Sequence, residues 1–180
     1  YVHIPAQSGS DRMLKAMKRG YTVERYLAIV ERIRAAVPEA EIAGDFIVGF
    51  PGETDEDFDA SMELMKRVRF QNCFIFKYSS RPGTGAAAME DDVPQAVKEE
   101  RNNRLLELQK GISAEKHRAM IGKTVEVLVE GKSKRDARRL TGRTTANHIV
   151  HFESPEELRG KITRVKIVSA TALSLMGETV

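Results

Sequence analysis

The stretch Gly44-Asp45-Phe46-Ile47-Val48-Gly49-Phe50-Pro51-Gly52-Glu53-Thr54-Asp55-Glu56 limits what this chain can fold into more than any other. It predicts a strand, a loop and a helix. The strand, Ile42 to Phe50, is apolar on both alternating faces apart from Asp45, the pattern of a parallel strand covered on both sides. Asp45, Ile47 and Gly49 share one face and Phe46, Val48 and Phe50 the other. A carboxylate in such a strand must find donors or face a polar cavity, because leaving it unpaired is costly.

Gly49 and Gly52, with Pro51 between them, remove bulk where the strand leaves the sheet, so a ligand can approach the backbone there. Thr54 suits a helix N-cap, and Asp55, Glu56 and Asp57 fill the first turn, where the helix dipole favours negative charge. Phe58, Met62, Met65 and Val68 supply the buried stripe. The acid cluster reads as capping rather than as a metal site, since no histidine is near and metal-loop spacing is lacking.

A chain of 180 residues can bury a real core as one domain or two small ones, and 41% hydrophobic with 31% charged residues makes it globular. No apolar run approaches a membrane span and Tyr1-Val2-His3-Ile4-Pro5 is no signal peptide, so a cytoplasmic, membrane-free monomer is expected. The single cysteine, Cys73, lies in an apolar run and reads as a core residue. Charge is unevenly spread. Lys123 to Val180 holds eleven Lys or Arg against seven Asp or Glu, a net of +4, whereas the other residues, eighteen against nineteen, carry −1. That asymmetry points to an appended module with a polyanionic partner.

Val2-His3-Ile4-Pro5 is an extended run without a cap, as expected of a fragment. A polar loop, Ala6 to Asp11, leads to a short helix carrying Met13, Leu14 and Met17 and closing at Arg19-Gly20. Thr22 caps a longer helix with the stripe Val23, Tyr26, Leu27, Val30, Ile33 and Val37, stopped by Pro38. After the helix at Thr54, a second apolar run, Cys73 to Tyr78, ends in Ser79-Ser80-Arg81-Pro82-Gly83-Thr84-Gly85. Strands separated by helices, each leading into a Gly- or Pro-containing loop, predict parallel βα units whose functional groups gather at the strands' carboxyl ends.

From Val93 to about Met120 a charged helix is expected, with Val97, Leu105, Leu108 and Ile112 as its seam. Beyond Gly122 the period becomes two. Short strands over Val125 to Val129, Leu140 to Thr145, His148 to Phe152, Ile162 to Val168 and Ala172 to Met176 predict a small β-barrel. Between residues 130 and 143, Lys132, Lys134, Arg135, Arg138, Arg139 and Arg143 face only Glu130 and Asp136. On a small barrel this loop suits a nucleic-acid backbone, and with little aromatic interleaving phosphate contacts should outweigh stacking. His148 and His151 read as surface or edge-strand residues rather than a metal pair. His3 stands at a strand end near Gln7 with no role assigned.

His3 to Asp11, Met17 to Thr22, Asp45 to Thr54 and Tyr78 to Thr84 resemble the radical S-adenosylmethionine methylthiotransferases, most closely the branch acting on isopentenylated adenosine in tRNA. Glu130-Gly131, Leu140 to Thr144, Asn147 and Gly160-Lys161 are similar to the TRAM domain that ends those enzymes. The resemblance implies an α/β fold: a partial (βα) radical SAM barrel of about three βα units over residues 1–118, then a small all-β TRAM barrel over 119–180.

What the resemblance implies for function is replacement of a C–H of isopentenylated adenosine beside the tRNA anticodon by a methylthio group. S-adenosylmethionine serves there as methyl donor and radical source, alongside two 4Fe–4S iron–sulfur clusters. Neither cysteine set for those clusters is present, so the isolated chain is expected to be inactive. By motif match, Gln7, Arg19 and Asp45 would contact the ribose and amino-acid parts of the cofactor, and Gly49 would let the adenine meet backbone. Arg19 by itself reads as an ordinary helix C-terminal cation. Related branches acting on threonylcarbamoyl-adenosine or on a ribosomal-protein aspartate, and a non-enzymatic RNA-binding protein, remain alternatives; Ser8 and the +4 module favour RNA over the ribosomal protein.

Overall fold

Strands that return through helices re-enter a sheet in parallel. In the computed structural model, which describes residues 1–134, 136–155 and 157–180, β1 (Val2–His3), β2 (Ile42–Val48) and β3 (Asn72–Lys77) form a parallel sheet in the order β1-β2-β3. Between them run α1 (Asp11–Ala16), α2 (Val23–Ala36) and α3 (Asp55–Val68), capped by Ser10, Thr22 and Thr54. Tyr26 of α2, Phe46 and Val48 of β2, and Phe58, Leu64, Met65 and Val68 of α3 are buried together with Phe70. The Phe46 and Phe70 rings meet edge to face at 5.7 Å.

The opposite face differs from the sequence expectation of a strand covered on both sides. Asp45 pairs in register with Phe74 and Ile47 with Phe76, and those phenylalanines are 47% and 53% exposed. Both faces of β2 are equally apolar apart from Asp45, so its pattern cannot tell which one these helices cover. On α2, Val37 is exposed because it is the C-cap rather than part of the stripe.

α4 (Gln95–Arg118) is long, and within it the chain divides into two compact units, Val2–Gln109 and Lys110–Val180, the latter with Tyr1. Its buried face includes Leu105 and Ile112 but also Lys98, Arg101, Gln109, Ser113 and His117. Val97 and Leu108 are only half-buried.

In the second unit, β4 (Thr124–Lys132), β5 (Arg139–Arg143), β6 (Ile149–Glu153), β7 (Ile162–Ala170) and β8 (Leu175–Thr179) close a barrel in the order β4-β5-β6-β8-β7. Alternate residues fill it: Val127, Val129, Leu140, Val150, Phe152, Val165, Ile167 and Leu175. The last strand starts three residues later than Ala172, because Thr171 and Ser174 form a turn. The Thr171 N–H donates to the Ser174 carbonyl at 2.9 Å and Thr171 Oγ1 accepts from the Ser174 N–H at 3.0 Å.

Candidate functional site

Gln7 adopts a left-handed backbone, φ 66°, unusual for a residue with a side chain. Its N–H donates to the Asp45 carbonyl at 2.7 Å and its carbonyl accepts from the Ile47 N–H at 2.9 Å, so it is bridged to β2 beside Phe46. The loop after it is stitched to α3. The Gly9 N–H donates to Ser61 Oγ at 2.8 Å, and Ser10 Oγ donates to Asp57 Oδ1 at 2.5 Å. Gly9 lies so close to α3 that a Cβ there would stand 2.2 Å from the Ala60 carbonyl oxygen. The Gln-Ser-Gly-Ser sequence is thus what lets Gln7 sit against β2.

The Asp45 carboxylate has a partner that sequence reading missed: Oδ1 lies 2.8 Å from His3 Nε2. The His3 ring centroid in turn lies 5.7 Å from that of Phe74. A signal for the pair exists. His3 aligns with Ala43, which places it on Asp45's side of the sheet, but only once the parallel register is known. Gln7 is thus a backbone neighbour of Asp45, but it is buried and bridged to Phe46, which lies on the other face of β2; the half-exposed face of Asp45 carries His3, Ile47, Phe74 and Phe76.

Arg19 is not drawn into that group. Lys18, with φ 56°, ends the turn after α1, and Arg19 is left exposed, its side chain without a hydrogen-bond or ionic partner among the described residues. Its charge is felt at Tyr21, whose phenol is raised above its ordinary value by burial despite the opposing pull of Arg19. Tyr21 Oη donates to the carbonyls of Pro5 at 3.0 Å and Ala6 at 3.1 Å, just before Gln7.

Gly49 has φ +69°, and its side-chain direction is filled: a Cβ would stand 2.3 Å from Lys98 Cγ. Its N–H donates to Glu53 Oε2 at 2.7 Å. Glu53 is almost fully buried and pairs with Arg101 Nη1 at 2.8 Å, while Arg101 Nη2 reaches Asp55 at 2.7 Å. Burial raises the Glu53 carboxyl above its ordinary value, opposed by the Gly49 N–H and Arg101. This network anchors the loop after β2. It was hidden from sequence because Arg101 comes from a helix judged by its apolar residues. Asp57 completes the predicted capping: Oδ2 accepts from the Thr54 N–H at 3.0 Å.

On the barrel, Lys132 and Lys134 are exposed without a carboxylate partner among the described residues. Arg138 forks onto Asp136 at 3.1 and 3.2 Å, and Arg139 lies 3.6 Å from both Asp136 and Glu153. Arg143 donates to Glu130 at 3.1 Å and to Asn147 at 2.9 Å. Arg135 lies outside the described residues. His148 is not the surface residue expected. It is buried, its Nδ1 3.1 Å from Nε2 of His117, whose Nδ1 is 2.7 Å from the Thr171 carbonyl. Among the described residues no group of three or more His, Cys, Asp or Glu is placed to hold a metal, and no helix is long and apolar enough to cross a membrane. Cys73 is buried, which pushes its thiol well above the ordinary range. One such thiol cannot supply the ligands of an iron–sulfur cluster.

Residues 1–65 match the Radical SAM superfamily and residues 118–180 the TRAM domain. Over all of its length the chain is 51% identical to a protein of Thermoanaerobacter sp. (strain X514) named tRNA-2-methylthio-N(6)-dimethylallyladenosine synthase, of which it covers 38%. The chain thus carries a region that matches the Radical SAM superfamily, followed by a TRAM domain. Proteins of the same name from Methylacidiphilum infernorum (isolate V4) and Nitrosospira multiformis are 48% and 51% identical over 98% and 100% of the chain, which again covers 38% of each. The chain therefore spans well under half the length of the curated relatives it matches.

Proposed function

We propose that these 180 residues are the C-terminal portion of an enzyme that inserts a methylthio group into isopentenylated adenosine beside the anticodon of tRNA. The observation that carries this reading is 51% identity, along the entire chain, to a protein named for that synthesis. Domain limits are drawn at 1–118 for the partial barrel and 119–180 for the TRAM barrel, the latter supported by the match over 118–180. A cytoplasmic monomer is the setting we assign it.

S-adenosylmethionine would supply the methyl group and the radical, and two 4Fe–4S clusters would be held by cysteines outside these residues. The residues of this chain suit the first of these groups and not the clusters. Asp45, oriented by His3, and Gln7, fixed by its bridge to β2, offer a carboxylate and an amide for ribose hydroxyls or an ammonium. Arg19 is an exposed guanidinium available to a carboxylate, and Gly49 offers backbone rather than its side-chain direction, which Lys98 fills. Lys132, Lys134, Arg135, Arg138, Arg139 and Arg143 would meet tRNA.

The test is to express the longer protein containing this chain in a strain that lacks the methylthio modification and to analyse digested tRNA by mass spectrometry. Methylthio-isopentenyladenosine is expected, and Asp45→Asn should lower its yield about tenfold or more. A methylthio group appearing only on threonylcarbamoyl-adenosine or on a ribosomal protein would assign the chain to another branch. No methylthio product at all would favour a binding protein.

A further inference from the structure

Four side chains on neighbouring strands form one row across the outer surface of the barrel. Ile162 of β7 lies opposite Leu128 of β4, Leu128 opposite Arg143 of β5, and Arg143 opposite Ile149 of β6. Their strand neighbours Val127, Val129 and Val150 fill the interior, so the row points outward. Residues opposed in this way bring their Cβ atoms to about 4.5–5.5 Å, which makes the row continuous. Leu128 is 50% exposed and Ile162 68%, at positions where the barrel's own packing requires nothing apolar.

Arg143 is held differently from the other cations. Its Nε donates to Glu130 and its Nη1 to Asn147, which fixes the guanidinium plane, while Nη2 has no hydrogen-bond partner among the described residues. Asn147 is itself set by a turn, with φ 64° and its N–H donating to the Thr144 carbonyl at 2.9 Å. With Glu130 offsetting its charge, Arg143 is a poor phosphate clamp but a good rigid plane. The acids on this side of β4 are Glu126 and Glu130, and Arg164 and Lys166 of β7 stand opposite Glu126 and Thr124 on the same outer face, neither with a carboxylate partner among the described residues; exposed Lys132 and Lys161 lie at the adjoining strand ends.

We propose that this row is a platform for an unpaired nucleotide of single-stranded RNA: the base face packs on Leu128 and Ile162, the guanidinium of Arg143 contacts the base, and Lys132 and Lys134 hold flanking phosphates. The proposal rests on the RNA-binding reading above and gives Arg143 a base rather than a phosphate. Unstacked loop bases are the part of an RNA that such a surface reaches, since a paired duplex buries its base faces.

The full 180-residue chain would be titrated, across a salt series, into a fluorescein-labelled RNA hairpin with a single-stranded loop and into a fully paired RNA duplex of equal phosphate number. Tighter binding to the hairpin is expected. Leu128→Ser with Ile162→Ser should weaken hairpin binding about tenfold with the salt slope and duplex affinity unchanged. Arg143→Lys keeps the charge and loses the plane, so it should do the same; it also reads the site if the serine variant melts abnormally by circular dichroism. Variants that bind the hairpin like the parent would overturn the platform while leaving RNA binding intact, and so would an Arg143→Lys loss that is equal on hairpin and duplex. Absence of binding to either RNA at low salt would overturn the RNA-binding reading and the platform together.

Discussion

Asp57 serves three neighbours at once. It closes a capping box with Thr54, accepts from Ser10 in the loop after Gln7, and pairs with Arg12. Burial opposes its ionisation, but the hydrogen bonds from Arg12, Ser10 and Thr54 outweigh that and hold its carboxyl below the ordinary 3.8. A carboxyl depressed in the folded state contributes stability that is complete above its unfolded value and is lost as pH falls through the folded one. Parent stability, followed by urea unfolding from neutral pH downward, should therefore drop below about pH 4. Asp57→Asn should be less stable at neutral pH and lack that part of the acid decline. Parallel pH curves for the two proteins would mean that Asp57 does not carry it. Asp45 contrasts with this: its carboxylate meets one hydrogen-bond partner among the described residues, the His3 imidazole, and keeps capacity for a further donor.

α4 packs into the sheet unit through polar groups as well as through apolar Leu105. Arg101 reaches over to Glu53, which also receives the Gly49 N–H, so one ion pair fixes a helix and the loop after β2 together. Breaking a buried pair leaves an uncompensated charge, and Arg101→Met should cost about 3–5 kcal/mol in urea unfolding. Replacing Glu53 by Gln in the same chain should recover part of that loss; no recovery would show that Arg101 acts through packing on Phe58, 5.7 Å away, instead. The same elements mark what the sequence could disclose. Thr22, Thr54 and Pro38 set helix ends through their immediate neighbours, and the alternation from Val125 to Val129 reports a barrel wall, so both were readable. The α4 stripe was readable only in Leu105 and Ile112, because periodicity is read from apolar residues and this stripe also contains Lys98, Arg101, Gln109, Ser113 and His117. His3 with Asp45 and His117 with His148 were not readable, since each pair meets only after distant strands or turns are in register. The start of β8 was misplaced because Thr171 folds a turn out of residues that alternate like a strand.

Across the whole chain the basic excess lies in Lys123 to Val180, a net of +4 from eleven cations and seven acids, yet the fold does not leave those charges equally available. Arg138 and Arg139 are drawn to Asp136, whose carboxyl is held below its ordinary value mainly by hydrogen bonds from Arg138, whereas Lys132 and Lys134 are exposed and have no carboxylate partner among the described residues. RNA affinity should follow the available charges rather than the formal total. Each phosphate contact contributes about 0.7–0.9 to the slope of log affinity against log salt, so Lys132→Ala with Lys134→Ala should flatten that slope by roughly 1.5. Arg138→Ala should flatten it by less than one lysine does, because its guanidinium must first leave Asp136. Asp136→Asn releases both arginines, and tighter binding with a steeper slope is expected. Equal effects of the lysine and Arg138 replacements per charge removed, with Asp136→Asn silent, would mean that RNA responds to the module's overall field and that the local ion pairs do not ration it.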